Sequence, residues 1–576
     1  MSKHLMVVAI DFGTTYSGYA FSMKSDFLRD PLQIHANQAW NAGKKQLLSL
    51  KTPTCLLLDG STDIVSFGYE AEDTYAELVL DERHHEYYFF DRFKMRLYQE
   101  QDLSGEMQLE DVTGKKLLAI EVFGKAIKAL TDHFMKLLEM EGKNIIKMSE
   151  IRWVLTVPAI WSDGAKQFMR KSAAKAYIQD ENLLIALEPE AASIYCQYLP
   201  KERLVGMDQT LNIGERGMRY MVVDLGGGTA DITVHEKVEG GKVKELCRAN
   251  GSECGGTSVD KAFMELFENM SGFPLIPLLK KEDPTAFLDI SREFEAVKRK
   301  IDTNTTGKVN FCIPITTLNK LCEKQCGQTL ESLITQSSYN DLITLRGDKI
   351  RIDHDLMKSL FAQTIEKVTN LISQMYAQSI KADVNLILLV GGFSECRLIH
   401  TAIKQAFPDK RVIVPEECGL AVLKGAVLFG HRPDFIESRV MRYSYGTDTY
   451  VEFDPAMHDK SRKIKASGKE QIEIFDIIVK QNTSVLIGTE VQHAYDTMIP
   501  YQKSIMVSIY VIEKEEPKYI NEVGCIKIGE VEIFIPNPSA ETRTVNVQYI
   551  FGKTELSVSA KEITSGSECN ACIKLI

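Results

Sequence analysis

The sequence predicts two related α/β lobes followed by an all-β region, on three observations. First, VVAIDFGTTYSGYAF (7–21) and MVVDLGGGTADITVH (221–235) share one pattern: apolar strand, aspartate, a turn bearing glycine and threonine, and a second strand. Second, apolar strands alternate with helical periodicity between and after these hairpins, as in mixed α/β lobes. Third, from about residue 440 the helical periodicity gives way to alternating runs separated by polar turns. These runs are QIEIFDIIVK (471–480), SIMVSIYVIE (504–513), CIKIGEVEIFI (525–535), TVNVQYIF (544–551) and ELSVSA (555–560), the strands of an antiparallel sheet or sandwich.

Length and composition agree. A chain of 576 residues exceeds what one core supports and calls for two or more domains. A net charge of −11 argues against nucleic acid or an anionic membrane as the main partner. No apolar run reaches membrane-spanning length, and LMVVAI runs straight into Asp11, which marks a strand instead of a signal peptide. Twelve cysteines without a framework suit a reducing compartment, so the expected location is the cytoplasm, with the nucleus also open to it. Cys569 and Cys572 form a lone CxxC, and Cys322 and Cys326 lie one helical turn apart. Neither has the second pair that a zinc site needs, so both read as free thiols.

The hairpins carry the chemistry. Three successive glycines, Gly226, Gly227 and Gly228, are costly to order and contribute little to a sheet, so they mark a close approach to the backbone. Turns rich in glycine and threonine direct backbone N–H groups inward as an anion-binding concavity, to which Thr14, Thr15 and Thr229 add hydroxyls. Asp11 aligns with Asp224 and Gly13 with Gly226; the aspartates at the strand ends suit Mg²⁺ held through its waters. Two such loops facing one another would clamp a polyphosphate between the lobes. The chain has no G-x-x-x-x-G-K-[ST] loop, no kinase catalytic loop and no G-x-G-x-x-G opening a helix.

The remaining elements follow in order. A polar stretch leads to a helix predicted around YYFFDRFKMRLYQ (87–99); IRWVLTVP (151–158) is strand and AKQFMRKSAAKA (165–176) helix. LLIALEPEAASIYCQYL (183–199) reads as strand, a turn at Glu188–Pro189, and a helix of small residues. Residues 257–301 are mostly helical and end in the charged SREFEAVKRKI (291–301). VNLILLVGGFSE (384–395) repeats the strand-to-glycine theme and should open a helix whose N-terminus faces a ligand. GLAVLKGAVLFG (419–430) is a small-residue helix suited to close packing, and FIESRVMRYSYG (435–446) is the junction. The expected division is a two-lobed domain over 1–434, a linker over 435–446 and a β-sandwich over 447–576. The lobes break near residue 200, and the second carries a helical insert over about 257–350.

These residues, in this order, resemble the seventy-kilodalton heat-shock chaperone family, and more narrowly its atypical twelfth subfamily. DFGTTYSGYA and VVDLGGGTADITV match its two phosphate motifs, TVPAIW and ALEPEAAS its connecting and catalytic segment, EAVKRKI its adenosine-binding helix and LVGGF its second adenosine loop. The resemblance implies an actin-like ATPase domain of duplicated ribonuclease-H-like lobes, binding ATP or ADP with Mg²⁺, followed by a sandwich that holds a protein or peptide. By position, Asp11 and Asp224 would hold hydrated magnesium, and Gly13, Thr14, Thr15, Tyr16 and Gly226 to Thr229 would surround the β- and γ-phosphates. Lys94 would stabilise the transferring phosphoryl, Glu188 would orient water and metal, and Asp231 would position or deprotonate the water. Gly256, Glu295, Lys298, Arg299, Gly391, Gly392 and Phe393 would surround the nucleoside. The i,i+3 and i,i+4 spacing of Glu295, Lys298 and Arg299 fits an intrahelical salt-bridge face almost as well. A lysine in the charged run DRFKMRL is by default solvated.

Three departures from the family pattern stand out. Phe393 and Glu395 occupy the positions of a serine and an adenine-stacking arginine, with Phe393 a substitute stacking plane, and Asp302 replaces a serine that touches the base. The junction lacks the family's acidic, leucine-rich linker. After LSVSAKEITSG only SECNACIKLI follows, so a helical lid is not expected. The leading expectation is a chaperone-like ATP-binding protein with slow hydrolysis. Its alternatives are a nucleotide-sensing scaffold or adaptor with incidental or no hydrolysis and, below that, a small-molecule kinase of the same fold.

Overall fold

The computed structural model describes residues 4–571 apart from 38–39, 42–47, 100–105, 144–145, 207–212, 380–382, 467–468, 536, 564 and 567. Cys572, the second half of the CxxC, lies outside them.

The two hairpins seed two sheets with the same ladder. Met6–Phe12 pairs antiparallel with Tyr16–Met23 and parallel with Ile151–Val157, which pairs parallel with Leu183–Leu187. Arg219–Leu225 pairs antiparallel with Ala230–Lys237 and parallel with Leu386–Val390, which pairs parallel with Arg411–Pro415. The central strands are buried almost throughout and apolar but for Arg219 and the aspartates Asp11 and Asp224, as expected of strands covered on both faces. Between the sheets, the helices Glu188–Tyr198 and Ala421–His431 pack against one another. A Cβ on Gly425 would stand 1.7 Å from the Ala191 carbonyl oxygen, so only glycine allows that approach.

Local readings differ from the structure at four places. Residues 87–99 are chiefly a strand, Tyr88–Asp91, and a short 3₁₀ turn, because the strand pairs with distant Cys55–Leu58; helix is confined to Arg96–Gln99. No turn separates Leu187 from the next helix: Glu188 is its first residue and Pro189 follows where a missing N–H costs nothing. A 3₁₀ turn, Gly392–Glu395, intervenes before the helix Arg397–Ala406. The second lobe's insert is not purely helical, since Lys308–Cys312, Ile343–Arg346 and Lys349–Asp353 form a small sheet.

Beyond residue 440, five strands from Ser444–Glu452 to Ile526–Phe534 form one sheet and four from Thr489–Asp496 to Glu568–Ala571 another, sharing one apolar core. The junction is itself strand: Ile436–Val440 joins the second lobe's sheet beside Val243–Ser252 and pairs on its other edge with Ser484–Leu486. Among the described residues no helix is long and apolar enough to cross a membrane.

Candidate functional site

The loop of the second hairpin packs on that of the first. A Cβ on Gly227 would stand 2.3 Å from Thr15 Oγ1, and one on Gly228 2.7 Å from Thr14 Oγ1 and 2.3 Å from Met95 Sδ. The glycines therefore admit the opposite loop's threonine side chains. The carbonyls of Gly226, Gly227 and Gly228 accept from the N–H groups of Gly256, Thr257 and Gly255, at the start of the helix Gly256–Ser271. The Gly226 N–H closes the turn on the Thr229 carbonyl at 2.9 Å, and the loop itself lines the cleft between the lobes.

This cleft has a volume of about 1160 Å³ and is lined by every residue expected at the site except Asp231. Asp231 is buried behind it, its carboxylate accepting from the Ile160 N–H at 3.2 Å and from Thr229. It touches the cleft only through Thr229. Lys94 is buried at 3% exposure, and its ammonium donates to Glu188 Oε1 at 2.8 Å, in place of the solvated position that its charged run implies. At the far end, Glu295 accepts from Lys298 at 2.6 Å and from Arg299 at 2.9 Å, so these residues form the helical salt-bridge face and line the cleft as well. The Arg299 guanidinium lies 5.3 Å from the Tyr16 ring centre and donates to Glu395 at 3.4 Å. Phe393 packs under Gly256 at 7% exposure and still lines the cleft. Asp302 does not line the cleft; it closes a local turn with Asn304 and Thr305.

Several partners were invisible to sequence reasoning. Asp11 is held from both sides, Oδ1 accepting from Thr156 at 2.9 Å and Oδ2 from Lys51 at 2.6 Å. Among the described residues, ion pairs cross between the lobes from two arginines: Arg92 to Asp260 at 3.0 Å, with Lys298 sharing that aspartate, and Arg292 to Glu72 at 2.5 Å and to Asp73 at 3.3 Å. No local spacing signals these pairs, whose members lie far apart in the chain; only the aspartate at each hairpin could have prompted a search for a cation.

The charges are unbalanced. Burial works to raise the Asp11 pKa, but Lys51 and Lys94 outweigh it and hold the carboxyl below its ordinary range. Burial, then the carboxyls of Glu188, Asp231 and Asp11, push Asp224 well above its ordinary range. Glu188 is pushed up to about 7 by burial and by Asp11 and Asp231, against the pull of Lys94. Glu295 is held down at about 2, Lys298 and Arg299 outweighing its burial. An all-oxygen set short of positive charge around Asp224 fits a hydrated divalent cation such as Mg²⁺.

Duplicated sheets of this ladder, with a cleft lined by both hairpin loops, define the actin-like two-lobed class. Comparison with known proteins narrows it. The family described as Hsp70 protein matches residues 100–507. Human Heat shock 70 kDa protein 12B is 33% identical over 630 residues, covering 99% of this chain and 91% of its own length. Mouse Heat shock 70 kDa protein 12A is 31% identical over 624 residues, covering 99% and 92%. Chaperone protein DnaK of Mycoplasmoides gallisepticum is 24% identical over 459 residues, covering 79% and 65%. The chain belongs to the Hsp70 family, and its two lobes and the sheet-rich region after them have that family's architecture.

Proposed function

We propose that the cleft binds ATP and ADP with Mg²⁺ and hydrolyses ATP slowly, and that nucleotide state sets a lobe closure felt by a partner-binding, chaperone-like C-terminal sandwich. The carrying observation is the contact of Thr14 and Thr15 with Gly228 and Gly227, with Lys94 and Glu188 lining the same cleft. Asp11 and Asp224 would hold the magnesium, which when bound supplies charge neutralisation of the phosphates. The Gly13–Tyr16 and Gly226–Thr229 loops grip phosphate oxygens by N–H and hydroxyl donors. Lys94 aims its ammonium at the transferring group, and Glu188 keeps Lys94 in place while accepting from the attacking water. Asp231 is a positioning residue that holds Thr229. Arg299 and Tyr16 bound the nucleoside end. Positioning and electrostatics of this kind supply most of what phosphoryl transfer requires.

Closure has levers on both sides. The Arg92–Asp260 and Arg292–Glu72 pairs cross the cleft and must break for it to open. Glu190, two residues beyond Glu188, accepts Arg439 through both oxygens at 2.6 Å, and Arg439 also donates to the Gly552 carbonyl in the sandwich. Ile160 donates to Asp231 and its carbonyl accepts from Arg442. These contacts support communication between cleft and sandwich, with the domain division near residues 435–446. The described cysteine side chains are free thiols, in keeping with work in the cytoplasm.

Steady-state hydrolysis tests the reading: Lys94→Ala should lower turnover by about a hundredfold or more, and unchanged turnover in a pure preparation removes Lys94 from the chemistry. A nucleotide-sensing scaffold is the second reading, favoured by the buried Arg439–Glu190 pair that fixes the sandwich to the Glu188–Tyr198 helix. Capture of an unfolded polypeptide probe by Thr14→Gly separates the two, since undiminished capture selects the scaffold.

A further inference from the structure

We propose that Lys51 is a built-in cation of the phosphate end of the cleft, taking over part of the charge neutralisation that magnesium supplies, so that nucleotide phosphate binds without strict need of the metal. This rests on the nucleotide reading above and goes beyond it by assigning a phosphate ligand that lies in neither hairpin.

The position is constructed. Thr52–Pro53 pairs antiparallel with Tyr16–Ser17, which fixes the Lys51 backbone beside the first hairpin. Gly18 is the cross-strand partner of Asp11. A Cβ there would stand 3.0 Å from Lys51 Cγ and 3.2 Å from the Leu50 carbonyl oxygen, so the lysine stem lies against the face that Gly18 leaves bare. It ends on Asp11 at 2.6 Å, with the two side chains 19% and 9% exposed, and Lys51 lines the cleft together with Thr14 and Thr15.

An ammonium has three donors on a flexible stem, so it can keep Asp11 and still donate to a phosphate oxygen beside it. Asp11 in turn has both oxygens engaged, by Thr156 and Lys51, and so has less need of a metal than Asp224. The arrangement divides the labour: a fixed monovalent cation in the first lobe and a carboxyl cluster short of positive charge in the second.

Calorimetric titration of the full chain with ATP, in excess MgCl₂ and in EDTA, tests it. Wild-type affinity should weaken by less than about tenfold on chelation, whereas Lys51→Met, which keeps the stem and drops the charge, should weaken by about a hundredfold or more. Lys51→Arg should keep the wild-type ratio, which separates lost charge from disturbed packing; melting curves establish that each variant is folded. A wild type that loses a hundredfold on chelation, or a Lys51→Met variant with the wild-type ratio, overturns the proposal. A wild type that ignores ATP even in MgCl₂ overturns instead the nucleotide reading on which it rests.

Discussion

Asp11 and Asp224 end equivalent strands in the two lobes, yet their surroundings are opposite. Opposite Asp11 stands Gly18; opposite Asp224 stands another acid, Asp231. The glycine makes room for a lysine beside Asp11, whereas Asp231 is one more carboxyl near buried Asp224, so one carboxyl titrates low and the other high. The difference teaches that the duplicated backbone sets where the loops meet, while single residues beside each aspartate set what the cleft lacks. What it lacks is positive charge on the second lobe's side.

The largest effect should come from damaging the backbone against which Asp224 rests. Gly391 has φ +87°, and a Cβ there would stand 2.2 Å from Asp224 Oδ1 and 2.5 Å from the Leu225 carbonyl oxygen. Chemical denaturation of Gly391→Ala should show a loss of about 3 kcal/mol. A loss below about 1 kcal/mol would show that this close approach is dispensable.

Next come the aspartates, which should respond with opposite signs. Without nucleotide or metal, Asp11→Asn strands the Lys51 ammonium and should cost about 2 kcal/mol, less than for a fully buried pair because Lys51 keeps some contact with water. Asp224→Asn relieves a like-charge cluster and should stabilise the same state by about 1 kcal/mol. Equal signs in urea melts would erase the asymmetry.

The smallest effect is the pH dependence. Glu188 titrates near 7 when folded against an ordinary 4.5, so the folded state binds more protons between those values and stability falls as pH rises through that window. Asp224 adds to the same slope, whereas Asp11, held low, contributes stability that is lost only on acidification below the ordinary carboxylate range. In EDTA, the stability of the wild type relative to Asp224→Asn should therefore decline from about pH 5 to 8, a difference in which the opposing contributions of buried His235 and His431 cancel. A rising difference would contradict the charge assignment.

The sequence made the phosphate end of the site legible because the chemistry there sits in contiguous turns. Gly13–Tyr16 and Gly226–Thr229 carry their own loop geometry, and Glu188 is carried by the strand-to-helix step at Leu187. Lys94 was legible by position and misread in surroundings, since the strand that buries it is fixed by pairing with Cys55–Leu58, far back in the chain. Lys51 was missed for the same reason: its place depends on Thr52–Pro53 pairing with Tyr16–Ser17. Asp231 is identified by its hairpin, but its place behind Thr229 is a matter of which strand face it occupies. At the base end, Phe393 and Asp302 are read by alignment with the family pattern: Phe393 lines the cleft while packed under Gly256, and Asp302 closes a local turn outside it.

The central claim is that the two hairpin loops together grip a nucleotide's phosphates. Its most direct test is calorimetric titration of the full chain with ATP, ADP and GTP in excess Mg²⁺. The account predicts one ATP or ADP per chain, with a dissociation constant of about micromolar or below. The absence of binding by all three nucleotides to a folded preparation would contradict it.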